Sequence, residues 1–474
     1  MYKIDNPRKD FFDSTASGRA RYRKKRSYYW NSITRYCDYF MQDDSSVLEI
    51  GCGIGNLIAE AKGKRKVGID FSEAMIAEAR RLHDGKDVEF RVMDACDITI
   101  DEKFDVIILS NLIGSLEDIQ QCFEQLHKVA HPKTRVMITY SSYIWEPLNA
   151  IAEWTGVKKR MPRQSWLSRA DVTNMLYLAG FEVYRKSRNM LLPFNIPVIS
   201  WLSNKFLSRL PGFNWFGLNQ YVFARPQPDA SSRNSYSTSV IIPARNESGN
   251  IENAITRLPK FGKHIEIIFI EGNSTDDTWE KIQEARQKYA ATHDIKIGQQ
   301  TGKGKGDAVR MGYSMATGDI LMILDADLTV PPEELPKFYD AIASGKGEFI
   351  NGCRLIYPME KRAMRFLNTL GNKFFSSVFT WLLEQPIKDT LCGTKVLFRE
   401  DYLKLEKNRL FFGNFDPFGD FDLILGSYKL NLKIIDLPVR YKERKYGDTN
   451  ISRFKHGWIL LKMSIFAAKK IKFF

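Results

Sequence analysis

The feature that most constrains how this chain can fold is the apolar run at residues 320–324, which continues directly into Asp325-Ala326-Asp327. Thr317-Gly318-Asp319 precedes the run and Pro331-Pro332 follows it, so turn-forming residues delimit it on both sides. A short, uninterrupted apolar run of this kind is typical of a strand that is buried on both faces of a parallel sheet. The sequence therefore predicts a central strand with two carboxylates at the point where it leaves the sheet.

Two carboxylates at the edge of a core repel each other and lose hydration, so a cation is their natural partner. Hard oxygen ligands favour Mg²⁺ or Mn²⁺, which complete their coordination with water and substrate phosphates. Asp325 and Asp327 are therefore candidate metal ligands at a diphosphate site. A pair of hydrated acids in a turn is the alternative interpretation.

The N-terminal half alternates short apolar segments with helical ones from Val47 onwards. This alternation is typical of a parallel, doubly wound α/β sheet. We expect strands at residues 47–50, 66–69, 89–93, 105–110 and 135–140, and helices near residues 73–83 and 117–130.

A glycine-rich turn, Gly51-Cys52-Gly53-Ile54-Gly55, follows the first predicted strand. Such a turn lets a ligand approach the backbone, and the helix behind it presents free N–H groups. Asp70 ends the second predicted strand about 20 residues after Gly51, the spacing expected of an acid that binds ribose hydroxyls. The third glycine of a dinucleotide-binding fingerprint is absent, because Asn56 and Ile58 stand where it would fall.

The segments E-I-G-C-G-I-G-N, G-I-D-F-S-E-A-M, M-D-A-C-D and F-D-V-I-I-L-S-N-L resemble the motifs of class I S-adenosylmethionine-dependent methyltransferases. The resemblance covers about residues 28–225 and implies a Rossmann-like domain that binds S-adenosyl-L-methionine. The cofactor-binding residues that it implies are Glu49, Gly51, Gly53, Gly55, Asp70, Asp94, Ala95 and Asn111. The glycines would lie under the cofactor, Asp70 on the ribose, Asp94 and Ala95 at the adenine, and Asn111 beside the methionine moiety. No residue identifies the methyl acceptor.

The C-terminal half contains P-A-R-N-E, S-T-D-D-T, G-K-G-K-G-D-A and L-D-A-D-L in this order. The ordered series resembles the family 2 glycosyltransferases of GT-A fold, most closely the dolichyl- and polyprenyl-phosphate sugar transferases. This resemblance covers about residues 237–460 and implies a nucleotide-sugar donor. The donor-binding residues that it implies are Pro243, Ala244, Asn246, Glu247, Glu271, Lys303, Lys305, Asp307, Asp325, Ala326, Asp327, Arg354 and Arg444. Glu271 departs from the Asp of the family, which leaves the selectivity for the donor base open.

The run F-G-D-F-D-L at residues 418–423 falls where this family carries its acceptor-facing acid. Helical register favours Asp422 for that role and keeps Asp420 in reserve; with Asp325 they form the predicted catalytic set. An acid beside a bound diphosphate can accept the proton of the acceptor. If the acceptor is already an ionised phosphate, the acid only orients it. Capping of a helix N-terminus is the alternative role for Asp420.

The formal net charge of +14 indicates anionic partners. The basic stretch at residues 19–26 could contact nucleic acid or lipid headgroups, or be a hydrated helix face. We do not expect nucleic-acid binding, because it would leave the second domain unexplained. Residues 456–474 combine apolar residues with clustered lysines, which suits an anionic membrane surface, although core packing is an equal alternative. Residues 366–383 are a second candidate surface, where a prenyl chain could lie. We interpret residues 191–218 as a lid and closing hairpin rather than as a membrane-surface segment.

The six cysteines form no C-x-x-C pair, and the N-terminus lacks the apolar core of a signal peptide. No run of about 20 apolar residues is present, so we expect no spanning helix. The predicted location is the cytoplasm, including the cytoplasmic face of a membrane.

Together these observations predict an α/β protein of two domains with a bifunctional transferase activity. The acceptor of the sugar is expected to be a polyprenyl phosphate or a glycan. The alternative is a glycosyltransferase whose methyltransferase-like domain only binds cofactor. The predicted divisions are a basic helical lead-in (1–44), a methyltransferase domain (45–225), a linker (226–237), a glycosyltransferase domain (238–455) and an amphipathic basic segment (456–474).

Overall fold

The computed structural model describes residues 7–156, 162, 164–229, 235–357, 366–409, 419–444, 446 and 453–473. The chain forms two compact units that divide between Gln227 and Pro228, inside the predicted linker at residues 226–237. Each unit is built around a seven-stranded mixed sheet with helices, which confirms the predicted α/β class.

The first unit has the strand order β3-β2-β1-β4-β5-β7-β6. Its strands are β1 (Ser46–Ile50), β2 (Arg65–Asp70), β3 (Glu89–Val92), β4 (Phe104–Ser110), β5 (Ala130–Ser141), β6 (Phe181–Asn189) and β7 (Asn219–Pro226). Its helices are α1 (Pro7–Lys25), α2 (Ser27–Asp38), α3 (Asn56–Glu60), α4 (Glu73–Leu82), α5 (Ile119–Gln125), α6 (Glu146–Trp154), α7 (Arg169–Leu178) and α8 (Ile199–Lys205). All five predicted strands are present. The helix expected near residues 117–130 is shorter, because it tightens into a 3₁₀ turn at Leu126–Lys128.

The parallel part of this sheet is buried on both faces, which explains why its strands are apolar runs rather than alternating patterns. Leu48, Val67 and Ile107 on three adjacent strands are fully buried. The Ser72 side chain accepts a hydrogen bond from Met75 N and so begins α4 directly after β2. Strand β7 runs antiparallel to both β5 and β6. Strands β2 and β4 both pair with β1 in parallel, so the carboxyl ends of β1, β2 and β4 meet at one edge.

The second unit has the strand order β10-β9-β8-β11-β13-β12-β14. Its strands are β8 (Ser237–Ala244), β9 (His264–Glu271), β10 (Asp294–Gln299), β11 (Ile320–Ile323), β12 (Phe349–Cys353), β13 (Lys395–Phe398) and β14 (Ile434–Pro438). Its helices are α9 (Ile251–Thr256), α10 (Thr278–Tyr289), α11 (Lys305–Met315), α12 (Leu335–Ala343), α13 (Phe366–Leu383), α14 (Arg399–Lys407), α15 (Asp420–Lys429) and α16 (Arg453–Ile471).

Strand β11 lies in the middle of this sheet, parallel to β8 and antiparallel to β13. All four of its residues are buried, as the apolar run predicts. Leu324 N donates to Ile241 O, so the chain follows the sheet up to Asp325. The two carboxylates therefore leave the sheet at the carboxyl ends of β8 and β9. Within the part of the chain that the structure describes, no helix is both long enough and apolar enough to cross a membrane.

Candidate active sites

A cavity of about 300 Å³ lies at the carboxyl ends of β1, β2 and β4 in the first unit. This is the edge where ligands bind in open α/β sheets, and the volume lies at the lower end of the range for small-molecule sites. All the predicted cofactor residues except Gly55 line it: Glu49, Gly51, Gly53, Asp70, Asp94, Ala95 and Asn111.

The glycine turn forms one wall of this cavity. Gly51 and Gly53 have positive φ angles of 71° and 54°, a conformation that favours glycine. A Cβ atom added to Gly53 would have no atom within 4 Å, so the backbone faces open space that a ligand can approach. Gly53 N donates to Asp70 Oδ2 over 2.9 Å, which joins the turn to the end of β2.

Gly55 has a packing role. It also has a positive φ, 74°, but a Cβ at this position would overlap the ring of Phe90. The glycine therefore allows α3 to begin close to β3, and it does not face the cavity.

Two buried acids, Glu49 and Asp70, face the cavity, and burial raises the pKa of each. Burial raises the pKa of Glu49 to about 8, although Ile58 N donates to its Oε2 over 3.0 Å. Glu49 is therefore mostly protonated at neutral pH in the ligand-free protein. Burial also raises the pKa of Asp70, against the hydrogen bonds that its carboxylate accepts from Ser72 N and Gly53 N.

Asn111 follows β4 in the left-handed region, with φ of 52°. Tyr29 donates to its Oδ1 over 3.4 Å, whereas its Nδ2 is buried without a hydrogen-bond partner in the described structure. Asp94 Oδ1 accepts from Cys96 N, which fixes the turn after β3. An unsatisfied amide donor, an open glycine turn and an acid at the end of β2 fit an adenosyl cofactor.

Sequence reasoning predicted a basic helical lead-in but missed that this helix lines the cavity. Helix α1 contributes Arg8, Phe12, Arg19, Tyr22 and Arg23 to its lining. Two basic residues of the stretch at 19–26 thus face the predicted cofactor site, whereas Arg21, Lys24 and Lys25 are exposed. The spacing of Arg19 and Arg23 in the sequence could have indicated this, because residues four apart share a helix face.

In the second unit, each carboxylate of Asp325-Ala326-Asp327 is paired with a cation. Lys305 Nζ lies 2.5 Å from Asp325 Oδ1, and Arg444 Nη2 lies 2.6 Å from Asp327 Oδ2. Arg444 also binds Glu247 over 3.0 Å. Burial would raise the pKa of Asp325, but the Lys305 ammonium holds it below its usual value. Burial raises the pKa of Glu247 to about 7.

This arrangement fits a divalent cation that takes few protein ligands. No group of three His, Cys, Asp or Glu side chains suited to a metal occurs among the described residues. Mg²⁺ commonly uses one or two carboxylates and completes its shell with water and phosphate oxygens. Asp325 and Asp327 would hold it, provided that Lys305 and Arg444 turn towards another anion.

The first two motifs of this unit are tied together at the ends of β8 and β9. Asn246, with φ of 54°, accepts a hydrogen bond from Thr275 N at its Oδ1. Glu271 is buried and accepts from Ser274 N over 2.5 Å and from Gln299 Nε2 over 3.3 Å. Pro243 and Ala244 pair in register with the end of β9.

The glycine–lysine turn leads into α11 beside the start of α15. Gly306 and Gly419 are in backbone contact, since a Cβ on Gly306 would come within 2.8 Å of Gly419 N. Asp307 Oδ2 accepts from Gly302 N and closes the turn. Lys303 is exposed, whereas Lys305 points towards Asp325.

Asp420, like Asp325, interacts electrostatically with Lys305, so it lies on the side of the sheet that carries the predicted metal ligands. Asp420 lies 3.3 Å from the buried Lys395 Nζ, which also donates to Cys392 O. The adjacent Gly393 is so close to Asp325 and Lys305 that a Cβ would overlap both. Asp422 instead lines a separate small cavity between α11, α14 and α15 and lies 3.6 Å from Arg409.

Arg354 serves the framework of the site. Its guanidinium binds Asp389 through two hydrogen bonds of 2.8 and 2.9 Å, and Asp389 is fully buried. Asn372 and Leu391 N also donate to Asp389. A contact between Arg354 and a donor stays a prediction. Residues 440–448 are predicted to form a basic loop over the donor, and the structure describes 440–444 and 446 of them.

Residues 41–180 match a family model described as a methyltransferase domain, and residues 239–405 match glycosyl transferase family 2. The chain joins a methyltransferase domain to a family 2 glycosyltransferase domain. It is 31% identical over 220 residues to a dolichol-phosphate mannosyltransferase from Pyrococcus furiosus, which covers 45% of this chain and 58% of that relative. It is 28% identical over 238 residues to the glycosyltransferase AglJ from Haloferax volcanii, and this match covers 50% of this chain and 71% of that relative.

Among solved structures, the chain is similar to an S-adenosylmethionine-dependent methyltransferase from Thermotoga maritima. The identity is 17%, the TM-score is 0.37, and the match covers 45% of this chain and 97% of that one. The chain spans somewhat more than half the length of the mannosyltransferase relative, because the match covers 58% of that protein.

The protonated state of Glu49 gives the methyltransferase domain a testable pH dependence. A glutamate in an unfolded chain ionises near pH 4.3, whereas folded Glu49 keeps its proton up to about pH 8. Between these values the folded state binds more protons, so the stability of the ligand-free protein should fall as the pH rises. Glu49→Gln should remove this contribution. The unfolding midpoint of Glu49→Gln, measured relative to that of the wild type, should therefore rise as the pH increases from 5 to 8.

Thermal unfolding midpoints measured from pH 5 to pH 9 test this expectation. Glu60→Gln, which changes an exposed acid of α3, is the matched control. Parallel midpoint curves for the wild type and Glu49→Gln would contradict it.

Proposed function

We propose that this protein is a bifunctional transferase. Its C-terminal domain transfers a sugar from a nucleotide-sugar donor to a polyprenyl phosphate in a metal-dependent, inverting reaction. Its N-terminal domain transfers a methyl group from S-adenosyl-L-methionine to an acceptor that is still to be identified. The observation that carries the proposal is the pairing of Asp325 and Asp327 with Lys305 and Arg444 at the carboxyl edge of the sheet.

In the sugar transfer, Asp325 and Asp327 would hold Mg²⁺ or Mn²⁺, which would supply charge neutralisation to the donor diphosphate. Lys305 and Arg444 are ion-paired with the same two carboxylates in the ligand-free site. When the carboxylates bind the ion, these two cations are free to turn to the leaving diphosphate and stabilise its developing charge, together with Lys303.

Asp420 is our choice for the acid that faces the acceptor. It stands at the start of α15 and is linked through Lys395, Cys392 and Gly393 to the Asp325 site. Asp420 is ion-paired with Lys395, and a carboxylate beside the donor can accept the proton of a hydroxyl acceptor. A polyprenyl phosphate is already ionised, so Asp420 and Lys395 then orient it. Single in-line displacement would turn an α-linked donor into a β-linked product.

Donor turnover tests this function directly. Purified protein, Mg²⁺ or Mn²⁺ and a short polyprenyl phosphate are incubated with a panel of nucleotide sugars, and nucleoside diphosphate release is measured. Asp327→Ala should reduce release with the accepted donor by about 100-fold or more. Asp420→Asn should also cause a loss of about 100-fold, whereas Asp422→Asn should stay within about threefold of the wild type.

A larger loss in Asp422→Asn than in Asp420→Asn would return the acceptor-facing role to Asp422. An α-linked product would contradict the inverting mechanism. No release with any donor would contradict the sugar-transfer function and leave methyl transfer as the main activity.

The alternative is a glycosyltransferase whose N-terminal domain binds cofactor without transferring a methyl group. The sugar-transfer product, offered with S-adenosyl-L-methionine, distinguishes the two. Release of S-adenosylhomocysteine supports bifunctionality, whereas binding without release over a range of products and precursors favours the alternative.

We also propose that the aromatic segment at residues 194–216 docks the protein on an anionic membrane surface. Its large apolar side chains are exposed, with Trp215 at 67% and Trp201 at 53%. The exposure of these side chains favours the membrane-surface interpretation, and the lid and closing hairpin stays the alternative. Trp and Phe next to Lys205 suit the headgroup region of an anionic leaflet, where a polyprenyl phosphate also resides.

Co-sedimentation with vesicles tests this surface. The wild type should bind vesicles that contain phosphatidylglycerol more strongly than pure phosphatidylcholine vesicles. Replacement of Trp201 and Trp215 by Ser should reduce binding at least fivefold, whereas replacement of the exposed Tyr177 and Leu178 of α7 should not. Unchanged binding in the Trp201/Trp215 variant, or a wild-type dimer that this variant abolishes, would contradict membrane docking.

A further inference from the structure

The edge strand β6 of the first sheet carries two cations that no motif of the sequence explains. Lys186 and Arg188 alternate along this strand, and both are half-buried. Arg188 lies in register with Gln220 of β7 and Tyr140 of β5, so these three side chains face the same side of the sheet. Arg188 Nε donates to Gln220 Oε1 over 3.1 Å. Among the described residues, neither Lys186 nor Arg188 forms an ion pair.

A third cation and a buried hydroxyl lie beside this pair. Burial, and then repulsion by Arg169 at the start of α7, lower the pKa of both Lys186 and Arg188. Tyr140 is buried, and its hydroxyl has no hydrogen-bond partner in the described structure, although Arg169 and Arg188 both interact with it electrostatically. The nearby carboxylate of Asp171 caps α7 instead. Like charges and an unsatisfied hydroxyl that are partly removed from water are costly unless an anion joins them.

Exposed apolar side chains flank this basic cluster on two elements. The aromatic segment at residues 194–216 follows the end of β6, and α6 follows the end of β5 at the same edge of the sheet. Trp145, at the N-terminus of α6, donates through Nε1 to Phe216 O over 2.8 Å and joins the two elements. In the described part of the first unit, every exposed large apolar side chain lies on these elements or on the turn before α6, except Val92, Tyr177 and Leu178.

The aromatic segment is polar inside and apolar outside. Ser200 and Ser208 are buried, and Ser208 Oγ donates to Asn204 O over 2.6 Å. Asn204 Oδ1 accepts hydrogen bonds from Leu191 N and Leu192 N at the start of the segment. A segment whose polar groups are satisfied inside and whose rings lie outside suits the apolar chains of a lipid.

Helix α2 connects this segment to the cofactor cavity. Asn204 Nδ2 donates to Tyr28 Oη over 2.9 Å, and the adjacent Tyr29 donates to Asn111 Oδ1 over 3.4 Å. Asn111 follows β4, and the strand order from there to Arg188 is β4-β5-β7-β6. Neighbouring strands lie about 4.8 Å apart, so the backbones of Asn111 and Arg188 are about 14 Å apart. A ligand that Arg188 holds by its phosphate must therefore extend beyond that phosphate to reach the cofactor.

We propose that Lys186 and Arg188, with Arg169, bind the phosphate of a lipid-linked methyl acceptor, whose apolar chain lies on α6 and the aromatic segment. This inference rests on the proposed methyl transfer. The acceptor is a lipid phosphate that carries a polar group, such as a sugar, between the phosphate and the methylated atom. A hydroxyl oxygen of that group forms the bond to the methyl carbon, the carbon–sulfur bond of the cofactor breaks with its electron pair on sulfur, and the hydroxyl proton leaves to water.

The test uses the full chain and S-adenosyl-L-methionine labelled in its methyl group. The acceptors are a panel of hexosyl polyprenyl phosphates in phosphatidylcholine vesicles, the matching hexose 1-phosphates without lipid, and bare polyprenyl phosphate in the same vesicles. The variants are Lys186→Gln, Arg188→Gln and the double variant. Lys66→Gln is the matched control, because Lys66 is a half-buried lysine near the start of β2, at the opposite edge of the sheet.

Label should enter a lipid-linked hexose and neither the hexose 1-phosphates nor bare polyprenyl phosphate. Lys186→Gln and Arg188→Gln should raise KM for that acceptor about 10-fold or more and leave kcat within about twofold, because the phosphate contact is the same in the ground and transition states. Affinity for S-adenosylhomocysteine should stay at the wild-type value, and Lys66→Gln should behave as the wild type. A loss of kcat with a lowered unfolding midpoint in both variants would assign the two cations a structural role and overturn the site.

The remaining outcomes separate this inference from the proposed function. Methyl transfer to hexose 1-phosphates at the rate of the lipid-linked forms would overturn the lipid-linked acceptor and leave the proposed methyl transfer standing. Weaker binding of the variants to phosphatidylglycerol vesicles, with an unchanged KM in phosphatidylcholine vesicles, would assign the cluster to bulk phospholipid and overturn the acceptor site. No label in any acceptor, with S-adenosylhomocysteine bound, would overturn the inference and favour a domain that only binds cofactor.

Discussion

Charge compensation at the carboxyl edge of the second sheet is the interaction on which the glycosyltransferase site depends. Asp325 and Asp327 lie where β11 ends, and each is held by one cation, Lys305 or Arg444. Without these cations the carboxylates would repel each other in a poorly hydrated site. Because the two cations come from the start of α11 and from the region after β14, one electrostatic network joins elements that are far apart in sequence.

The same physical problem is solved differently in the methyltransferase domain. Among the described residues Glu49 forms no ion pair, and burial raises its pKa to about 8. Asp70 accepts hydrogen bonds from two backbone N–H groups instead. One domain therefore pairs Asp325 and Asp327 with cations, whereas the other holds Asp70 by backbone hydrogen bonds and Glu49 by protonation. The first arrangement suits an exchange of cations with a diphosphate, and the second suits a ligand that binds through hydroxyl groups.

Much of the fold follows from local pattern. Apolar runs ended by Gly, Asp or Pro marked the strands, and the glycine turns marked the sites, because glycine adopts positive φ without a steric cost and allows close approach of a ligand. Local pattern failed where a residue's role depends on what lies opposite it. The periodicity of G-x-G-x-G does not reveal that Gly55 faces Phe90. Likewise, helical register does not reveal that Asp420 faces Lys395 while Asp422 faces another cavity.

By itself, the sequence determined that there are two α/β domains, the position of the central strand before Asp325, and most of the residues around the two sites. These depend on hydrophobic periodicity and turn chemistry, which are encoded over a few neighbouring residues. Only the tertiary structure decided that α1 covers the cofactor cavity, that Arg354 is committed to Asp389, and that residues 194–216 stay exposed. These outcomes depend on which surfaces meet through space, and contacts between distant segments leave no periodic trace in one chain.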